Sequence, residues 1–426
     1  MDQPLSRLEA FAACAPGLER CLEQEMRALG LAEIQRVPGG VEFTGEPPDL
    51  YRANLHLRTA SRVLVRLGRF HAEEFWELQK RAAKLAWERF IAPGQAVAIR
   101  ATCHQSRLYH SDAVAERVAL AIGERLGQAP PQQPPPDDET APAAQLIIVR
   151  LEDDECYVSV DSSGELLHRR GYRLATAKAP LRETLAAGML IASGWAGALQ
   201  PAAEVPGESN NPLAVPLLDP FCGSGTILTE AALLALNIPP GRGRRFAFMQ
   251  WPGYQAGAWD ALLRAANAVL PKAPLVIMAS DRDEGAVEAA RSNARRAGVI
   301  EHITFQCRAF SDIEPPDTPG WVITNPPYGL RIAPRAEARG RSWEDSRRPS
   351  PVRGLYSALG DVLRERCPGW QVALLSPDEQ LIRATGLSFD PNRSLTTING
   401  GLRVTLWLGR VPDQARTPPP PRFKRR

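Results

Sequence analysis

The sequence predicts an α/β protein in which a mainly parallel, doubly wound sheet follows a smaller α+β region. From residue 216 onward, short apolar runs alternate with helical patterns, and this alternation is typical of βαβ units. The first 165 residues instead carry strands and helices in mixed order. The predicted strands of the sheet are 215–219, 275–280, 302–307, 320–324, 370–376 and 402–408, and the predicted helices are 226–236, 256–270, 284–297 and 354–366.

The N-terminal region is built from shorter periodic segments. Leu18, Leu22 and Met26 recur at helical spacing and predict a helix that stops at Gly30. Segments rich in Pro, Gly or Asn predict loops or tails without regular structure. The predicted strands are 8–14, 62–67, 96–101, 146–151 and 156–161 with a hairpin at 34–43, the helices 49–54, 75–90, 111–126 (capped by Ser111 or Asp112) and 180–197, and the irregular segments 129–142, 201–215 and 417–426.

Composition indicates a globular protein, with 44% hydrophobic and 23% charged residues. No apolar stretch reaches the roughly 20 residues that span a bilayer, and no secretory signal is visible. The seven cysteines are scattered without a Cys-x-x-Cys pair, which favours reduced thiols over disulfides or a zinc site. We therefore expect a cytoplasmic protein that binds no membrane and no metal. The net charge of +3 is too small to indicate nucleic-acid binding by itself.

The segment 217–226, Leu-Leu-Asp-Pro-Phe-Cys-Gly-Ser-Gly-Thr, has the pattern of a buried strand that ends in a ligand-binding loop. Gly223 and Gly225 let the backbone approach a ligand closely, and Thr226 begins a helix whose free N–H groups face the loop. Asp219 at the strand end is placed to hold the cationic amino group of an adenosyl cofactor. The segment is neither a P-loop nor a complete dinucleotide fingerprint. The alternative is an ordinary Gly-rich turn between a strand and a helix.

Asp281 ends the next predicted strand, about where nucleotide-binding folds carry the carboxylate that holds ribose hydroxyls. It also lies just before the helix 284–297. Asp281, or with better spacing Asp283, is therefore also a candidate N-cap of that helix. The sequence leaves both roles open.

A second loop, Asn325-Pro326-Pro327-Tyr328, follows the predicted strand 320–324. Two prolines fix the backbone and remove two N–H donors, so that carbonyl oxygens are left to accept hydrogen bonds from a ligand. An amine on an aromatic ring is a poor nucleophile because its lone pair is delocalised. Accepting its two N–H groups at Asn325 Oδ1 and the Pro326 carbonyl would favour the reactive, pyramidal nitrogen, and Tyr328 offers a face on which a base stacks. The alternative is a structural Pro-Pro loop with a packed tyrosine.

With these residues the chain resembles the class I S-adenosylmethionine-dependent amino-methyltransferases. Further segments resemble the bacterial 23S ribosomal RNA guanine-N2 methyltransferases, namely 15–19, 39–43, 57–63, 167–173, 179–187 and 399–403. The resemblance covers about residues 6–410. It implies a ferredoxin-like domain at 1–68, an RNA-binding THUMP domain at 69–165, and a Rossmann-like methyltransferase domain with a seven-stranded, mostly parallel sheet at 166–412. A basic, Pro-rich tail at 413–426 follows.

The resemblance also implies the binding residues. The cofactor is S-adenosylmethionine, the catalytic residues are those of the Asn325–Tyr328 loop, and the protein is expected to act as a monomer. The implied cofactor residues are Asp219, Phe221, Cys222, Gly223, Ser224, Gly225, Thr226, Asp281, Arg282, Asp312, Pro180 and Thr184.

Two features depart from the family pattern. The family usually carries an Asp after the strand equivalent to 303–307, where it is thought to meet the adenine amino group, and Ala309 stands there in this chain. We expect Asp312 or backbone atoms to take over this contact. Some family members carry a second methyltransferase module, which this sequence does not contain.

Basic residues indicate where RNA is expected to bind. The segment 331–353 holds seven arginines directly after the Asn325–Tyr328 loop, although a solvated loop is an equal alternative. His104, Tyr109 and His110 are further candidates, and core packing is the favoured role for Trp251. The predicted RNA contacts are Arg107, Arg169, Arg170, Arg331 and Arg335.

The sequence thus predicts methyl transfer to the exocyclic N2 of a guanine in structured RNA, most simply ribosomal RNA. Two alternatives stay open: a tRNA guanine-N2 methyltransferase with the same parts, and a non-catalytic RNA-binding assembly factor, to which Ala309 gives some weight.

Overall fold

A computed structural model describes residues 7–136, 144–173, 181–198, 215–267, 275–329 and 351–413. The chain divides into two compact units. The first comprises Met1–Gly171 together with Asn237–Leu270, and the second comprises Tyr172–Leu236 together with Pro271–Arg426. Within the described residues, no helix is long and apolar enough to cross a membrane.

The first unit is built on a seven-stranded sheet. Its strand order is β2-β3-β1-β4-β7-β6-β5, and every pair is antiparallel except β5 with β6. The elements in chain order are β1 (Leu8–Cys14), α1 (Glu19–Ala28), β2 (Ala32–Val37), β3 (Gly40–Gly45), α2 (Pro47–His56), β4 (Ala60–His71), α3 (Phe75–Ala82), β5 (Val97–His104), α4 (Ser111–Leu126), β6 (Gln145–Glu152) and β7 (Glu155–Asp161).

The second unit contains the predicted doubly wound sheet. Strands β10, β9, β8, β11 and β12 are parallel neighbours in that order, and β15 follows antiparallel to β12. Its edge strands β13 and β14 both pair with β15. The elements after residue 172 are α5 (Glu183–Ala192), α6 (Trp195–Ala198), β8 (Leu217–Asp219), α7 (Thr226–Ala235), α8 (Ala256–Asn267), β9 (Ile277–Asp281), α9 (Glu284–Ala297), β10 (Thr304–Cys307), β11 (Trp321–Thr324), α10 (Pro351–Arg366), β12 (Gln371–Ser376), α11 (Glu379–Ala384), β13 (Ser388–Phe389), β14 (Leu395–Asn399) and β15 (Leu402–Arg410).

The α/β fold class is therefore confirmed, but the sheet has eight strands and not the seven that the resemblance implied, because the short strands β13 and β14 both pair with β15. The parallel strands place the carboxyl ends of β8, β9 and β11 at the same edge of the sheet. All three predicted ligand-binding segments follow these strand ends. In doubly wound sheets this is the edge at which ligands bind.

The segment 237–270 packs with the first unit, although it lies between β8 and β9 in the chain. The ring of Tyr51 on α2 stacks on Phe248 with 4.4 Å between centroids, and Trp259 on α8 meets both rings edge-on. Trp251 is buried and donates from Nε1 to Gln145 Oε1 at 2.8 Å, so its predicted packing role is confirmed. The aromatic side chains of this segment thus complete the core of the first unit.

Two local predictions for the first unit were wrong. The predicted helix 75–90 ends at Ala82, because the buried Trp87 turns inward and donates from Nε1 to the Ala82 carbonyl at 2.8 Å. A short 3₁₀ turn at Trp87–Arg89 replaces its second half. Helix α4 begins at Ser111, with His110 as its N-cap and no side-chain cap bond.

The helix α10 offers a matched pair of glycines for testing the fold. A Cβ added at Gly360 would lie 1.8 Å from the carbonyl oxygen of Thr385, whereas one added at Gly354 would meet nothing within 4 Å. We expect Gly360→Ala to lower the free energy of unfolding by about 1–3 kcal/mol through overpacking. Gly354→Ala should leave it unchanged or raise it by up to about 1 kcal/mol through helix propensity. Urea denaturation of both variants measures the difference, and equal effects would contradict this packing.

Candidate cofactor and amine-binding site

The two signature loops meet at the carboxyl edge of the second sheet. Asp219 ends β8 and Thr324 ends β11, and these strands are parallel neighbours. Thr324 Oγ1 donates to Asp219 Oδ1 at 2.5 Å, and the Phe221 backbone N–H donates to the same oxygen at 3.1 Å. Both Asp219 and Thr324 are buried. The amine-binding loop therefore begins one residue after a side chain that is bonded to the cofactor loop.

Asp219 is a carboxylate that its surroundings do not neutralise. Its hydrogen-bond donors within the described residues are uncharged. Burial raises the pKa of Asp219 to about 7, and the negative charge of Asp281 adds to the rise. This shift corresponds to about 4 kcal/mol against ionisation. An ammonium group placed against Asp219 would remove that cost, so the residue fits the cationic amino group of S-adenosylmethionine.

The two glycines of the cofactor loop have different roles. Gly223 has φ +50°, a Cβ added there would meet no atom within 4 Å, and its N–H donates to Asp281 Oδ2 at 3.0 Å. Gly225 has φ +76°, and a Cβ there would lie 2.8 Å from Cβ of Ala290 on α9. Gly223 thus leaves room for a ligand, whereas Gly225 is required for the close packing of the loop on α9.

The competing roles of Asp281 and Asp283 are resolved by their contacts. Asp283 caps α9, because its carboxylate accepts the N–H groups of Gly285 at 2.9 Å and Ala286 at 3.3 Å. Asp281 accepts the N–H of Gly223 with one oxygen and the N–H of Asp283 with the other. Asp281 is therefore part of the cofactor loop and is not the helix cap. Its role toward the ribose stays a prediction.

Within the Asn325–Tyr328 loop, the expected acceptor is already paired. The hydroxyl of Tyr328 donates to Asn325 Oδ1. Both side chains are half-buried, and burial raises the pKa of Tyr328. A substrate amine that uses Asn325 Oδ1 therefore either displaces the tyrosine hydroxyl or shares the oxygen with it, because an amide oxygen has two lone pairs. This contact was not foreseen from the sequence.

Sequence reasoning also missed Phe310 and Asn293. Phe310 packs against Phe221 of the cofactor loop, with 5.2 Å between ring centroids. Buried Asn293 on α9 donates from Nδ2 to the Ser224 carbonyl at 2.9 Å. The one signal for Phe310 was its position next to Ala309, where the family Asp was expected. Asn293 lies on the buried face of a helix, where no motif marks it.

The other predicted cofactor residues differ in how far they are exposed to solvent. Cys222 is buried in the loop, and burial raises the pKa of its thiol. Thr184 is buried on α5, while Arg282 is exposed. Asp312 is exposed in a 3₁₀ turn, where its carboxylate accepts the Ser311 hydroxyl at 3.2 Å. These assignments stay predictions, and Pro180 lies outside the described residues.

One predicted RNA contact requires correction. Arg170 is only 8% exposed and donates to the backbone carbonyls of Leu167 and Arg58. A guanidinium enclosed in this way holds backbone segments together and is not presented to a phosphate. Arg169 is half-buried and pairs with Glu165 at 3.0 Å. The predicted contacts Arg331 and Arg335 lie outside the described residues.

Asp219 predicts a pH dependence of cofactor binding. Because the pKa of its carboxyl is raised to about 7 in the free protein, the ammonium-binding form is lost as the pH falls below 7. The dissociation constant of S-adenosylhomocysteine should rise about tenfold per pH unit below that point and level off above pH 8. Asp219→Asn should bind more weakly and with no such dependence. Calorimetry from pH 5.5 to 8.5 measures both, and equal slopes would exclude Asp219 as the titrating partner.

Asp281 and Asp283 form a second matched pair. Asp281→Ala should raise the dissociation constant of the cofactor about 10- to 100-fold, the effect of losing a hydrogen bond to a charged group. Asp283→Ala should lower the free energy of unfolding by about 0.5–2 kcal/mol through loss of the cap, with cofactor affinity retained. Calorimetric titration and thermal denaturation of both variants separate the two roles. The reverse pattern would contradict them.

Comparison with known families divides the chain in the predicted order. Residues 9–64 match the family described as the RlmL ferredoxin-like domain, 72–161 match the THUMP domain, and 209–406 match the RMKL-like methyltransferase domain.

Two curated relatives show how far the similarity extends. A Synechocystis protein provisionally named an RNA methyltransferase is 36% identical over 93% of this chain and 95% of its own length. The ribosomal RNA large subunit methyltransferase K/L of Syntrophotalea carbinolica is 35% identical over 95% of this chain but 53% of its own length. The chain therefore spans about half the length of the K/L enzymes that it matches.

Solved structures agree with the fold. The protein SMU.472, provisionally named a methyltransferase and crystallised with SAH (S-adenosylhomocysteine), is 27% identical with a TM-score of 0.77, covering 95% of this chain and 98% of its own. A Listeria monocytogenes protein, named from sequence as an N6-adenine-specific DNA methylase, is 29% identical with a TM-score of 0.77, covering 95% and 97%.

These matches extend over nearly the whole chain and include a neighbour solved with the demethylated cofactor. The cofactor of this chain is S-adenosylmethionine, which the geometry at Asp219 and Gly223 fits. The chain belongs to the family of S-adenosylmethionine-dependent class I methyltransferases of the K/L type, in which ferredoxin-like and THUMP domains precede the methyltransferase domain.

Proposed function

We propose that this chain methylates the exocyclic N2 amine of a guanosine in structured RNA, with 23S ribosomal RNA as the favoured substrate. The observation that carries the proposal is the Asn325–Tyr328 loop, bonded through Thr324 to the cofactor carboxylate Asp219. The names of the K/L relatives, which are ribosomal RNA methyltransferases, support RNA as the acceptor.

The chemistry asked of the protein is mainly positioning. The hydroxyl of Tyr328 leaves Asn325 Oδ1, and the guanine N–H groups take its place there and at the Pro326 carbonyl. The freed tyrosine ring then supplies the stacking face. When bound, S-adenosylmethionine supplies the methyl group, and the proton of the methylated amine leaves afterwards to water. No strong base is required, so the contribution of the chain is alignment of the amine.

The first unit carries a surface suited to an RNA strand. Trp76 on α3 has 63% of its side chain exposed, and Lys80 Nζ lies 5.8 Å from the centre of its ring. Together with Phe70, Arg81, Lys84 and one acidic residue, Glu77, these residues line a cleft of about 520 Å³ in which three of the side chains are cationic. An exposed ring among cations is how proteins bind unpaired nucleotides, by stacking on the base and pairing with the phosphates.

The loop that contains Arg107 lies beside the start of α3. Arg107 is exposed and forms an ion pair with Glu73, three residues before Trp76. Tyr109 in the same loop is 70% exposed. The predicted RNA contact at Arg107 therefore keeps its support as part of this surface.

The proposal is tested by incubating the protein with labelled S-adenosylmethionine and, in separate reactions, total RNA, tRNA and DNA. We expect label in the large ribosomal RNA as N2-methylguanosine. Asn325→Ala should reduce incorporation about 100-fold or more, because it removes an acceptor placed against the reacting amine. S-adenosylhomocysteine affinity should be unchanged in this variant.

The matched control is Asn392→Ala, an exposed asparagine in the turn between β13 and β14. It should retain full activity. Label confined to tRNA would move the proposal to that acceptor, and label in N6-methyladenine of DNA would refute it. Full activity of Asn325→Ala would refute the role of the loop.

A further inference from the structure

The hairpin of β14 and β15 extends past the edge of the sheet. β12 ends at Ser376, which lies opposite Thr405 of β15. The residues Leu402–Val404 continue beyond that point, paired with β14. The turn between the two strands is Gly400-Gly401, both with positive φ, as a tight hairpin end requires. The methyltransferase part of the chain therefore has a projecting two-stranded tip.

The strand register places this tip on the side of the amine-binding loop. Thr324 lies opposite Leu374 of β12, and Leu374 lies opposite Trp407 of β15. Leu402 is five residues further along β15 in the direction in which β11 runs toward Asn325. At about 3.4 Å per residue and 4.8 Å per strand, the tip stands about 17 Å beyond this row and about 10 Å to the side of β11.

The tip carries one exposed aliphatic side chain on each face, beside a polar or charged one. Leu402 continues the stripe of Val404, Leu406 and Leu408, which are buried, but is itself 36% exposed because the sheet has ended. Ile398 is 48% exposed and lies opposite Arg403, on the other face of the hairpin. Strand residues that lie opposite one another share a face. An aliphatic side chain thus projects from each face, with an exposed cation beside one of them.

We propose that this tip, Ile398–Arg403, inserts into the RNA beside the target guanine and holds that nucleotide out of the base stack. The inference rests on the proposed function, because it takes the RNA strand that carries the target as the occupant. A base must leave the stack to reach the Asn325–Tyr328 loop. Ile and Leu are side chains that proteins insert between bases for this purpose, and Arg403 is placed to pair with a flanking phosphate.

The occupant is inferred from the position of the tip and its chemistry. The tip stands at the edge of the sheet where the reacting amine must enter, two strands from β11. The side chains of Ile398 and Leu402 can pack against the unstacked surfaces of bases, and Arg403 can pair with a phosphate of the RNA backbone. Ile398 and Leu402 are both exposed within the described residues.

The experiment compares wild type with Ile398→Ala/Leu402→Ala on an RNA fragment that carries the mapped target. A second fragment has abasic residues on both sides of the target, so that no stacking opposes its removal. We expect kcat/KM of the double variant to fall about tenfold or more on the first fragment and to recover to within about threefold of wild type on the second. Arg403→Ala should reduce the slope of log affinity against log salt by about one.

The controls separate this inference from the proposed function and from misfolding. Leu120→Ala removes a leucine on α4 that is 44% exposed, a value between those of Leu402 and Ile398, and should behave as wild type. The double variant should keep the melting temperature and the S-adenosylhomocysteine affinity of wild type. Full activity of the double variant on the first fragment, or a loss that the abasic fragment does not restore, would overturn the inference while the proposed function stands. A wild-type protein that methylates no RNA would overturn both.

Discussion

The hydrogen bond from Thr324 to Asp219 is the interaction on which the site depends. It joins the end of the strand that leads to the cofactor loop with the end of the strand that leads to the amine-binding loop. The same carboxylate is buried, its donors among the described residues are uncharged, and burial raises its pKa to about 7. Folding of the free protein therefore takes up a proton at Asp219 between the unfolded pKa near 4 and the folded pKa of about 7. The contribution of Asp219 to the stability of the free protein falls as the pH rises through that window. The same rise in pH produces the ionised carboxylate that binds the ammonium group of the cofactor. The buried charge of Asp219 therefore lowers the stability of the free protein, and the ammonium group of a bound cofactor would compensate for it.

The cofactor loop is stabilised by a series of hydrogen bonds that begins at helix α9. Asn293 donates to Ser224 and accepts from Arg296, whose Nε donates to the Tyr172 carbonyl at 2.6 Å. The hydroxyl of Tyr172 in turn donates to Glu230 on α7 at 3.0 Å. Because these residues lie on several elements, the loop is fixed before a ligand arrives. Binding then costs less ordering entropy than it would for a mobile loop.

Strand ends and turns could be predicted from the sequence because their signals are local. Apolar runs that stop at Asp219, Asp281 and Thr324 define strands, and Gly or Pro soon after Asp219 and Thr324 defines two of the loops. Contacts between residues that are distant in the chain could not be predicted, because no local pattern indicates them. The sequence suggests that Arg170 is a surface cation. In the structure its guanidinium donates to the backbone carbonyl of Arg58, which lies 112 residues away in the chain. The hydrogen bond between Tyr328 and Asn325 depends on the rotamers of both side chains, which the sequence motif does not determine. The strands β13 and β14 were missed because the first has two residues and the second, Leu395–Asn399, is short and has only two apolar residues that do not alternate, although the turn Gly400-Gly401 follows it directly.

The membership of 237–270 in the first unit has a consequence for the biosynthesis of the chain. The polypeptide leaves that unit at Gly171 and returns to it at Asn237. A ribosome that adds 5–20 residues per second needs about 5–20 s to extend the chain from residue 171 to residue 270. During this interval Tyr51 lacks the aromatic partners that Phe248 and Trp259 supply. The N-terminal unit therefore emerges with an apolar face uncovered, and it can mature only after the cofactor loop at 219–226 has itself been synthesised. Completion of the first unit consequently waits until part of the second unit has been translated, and a gene fragment cut after the THUMP domain would encode an unfinished core.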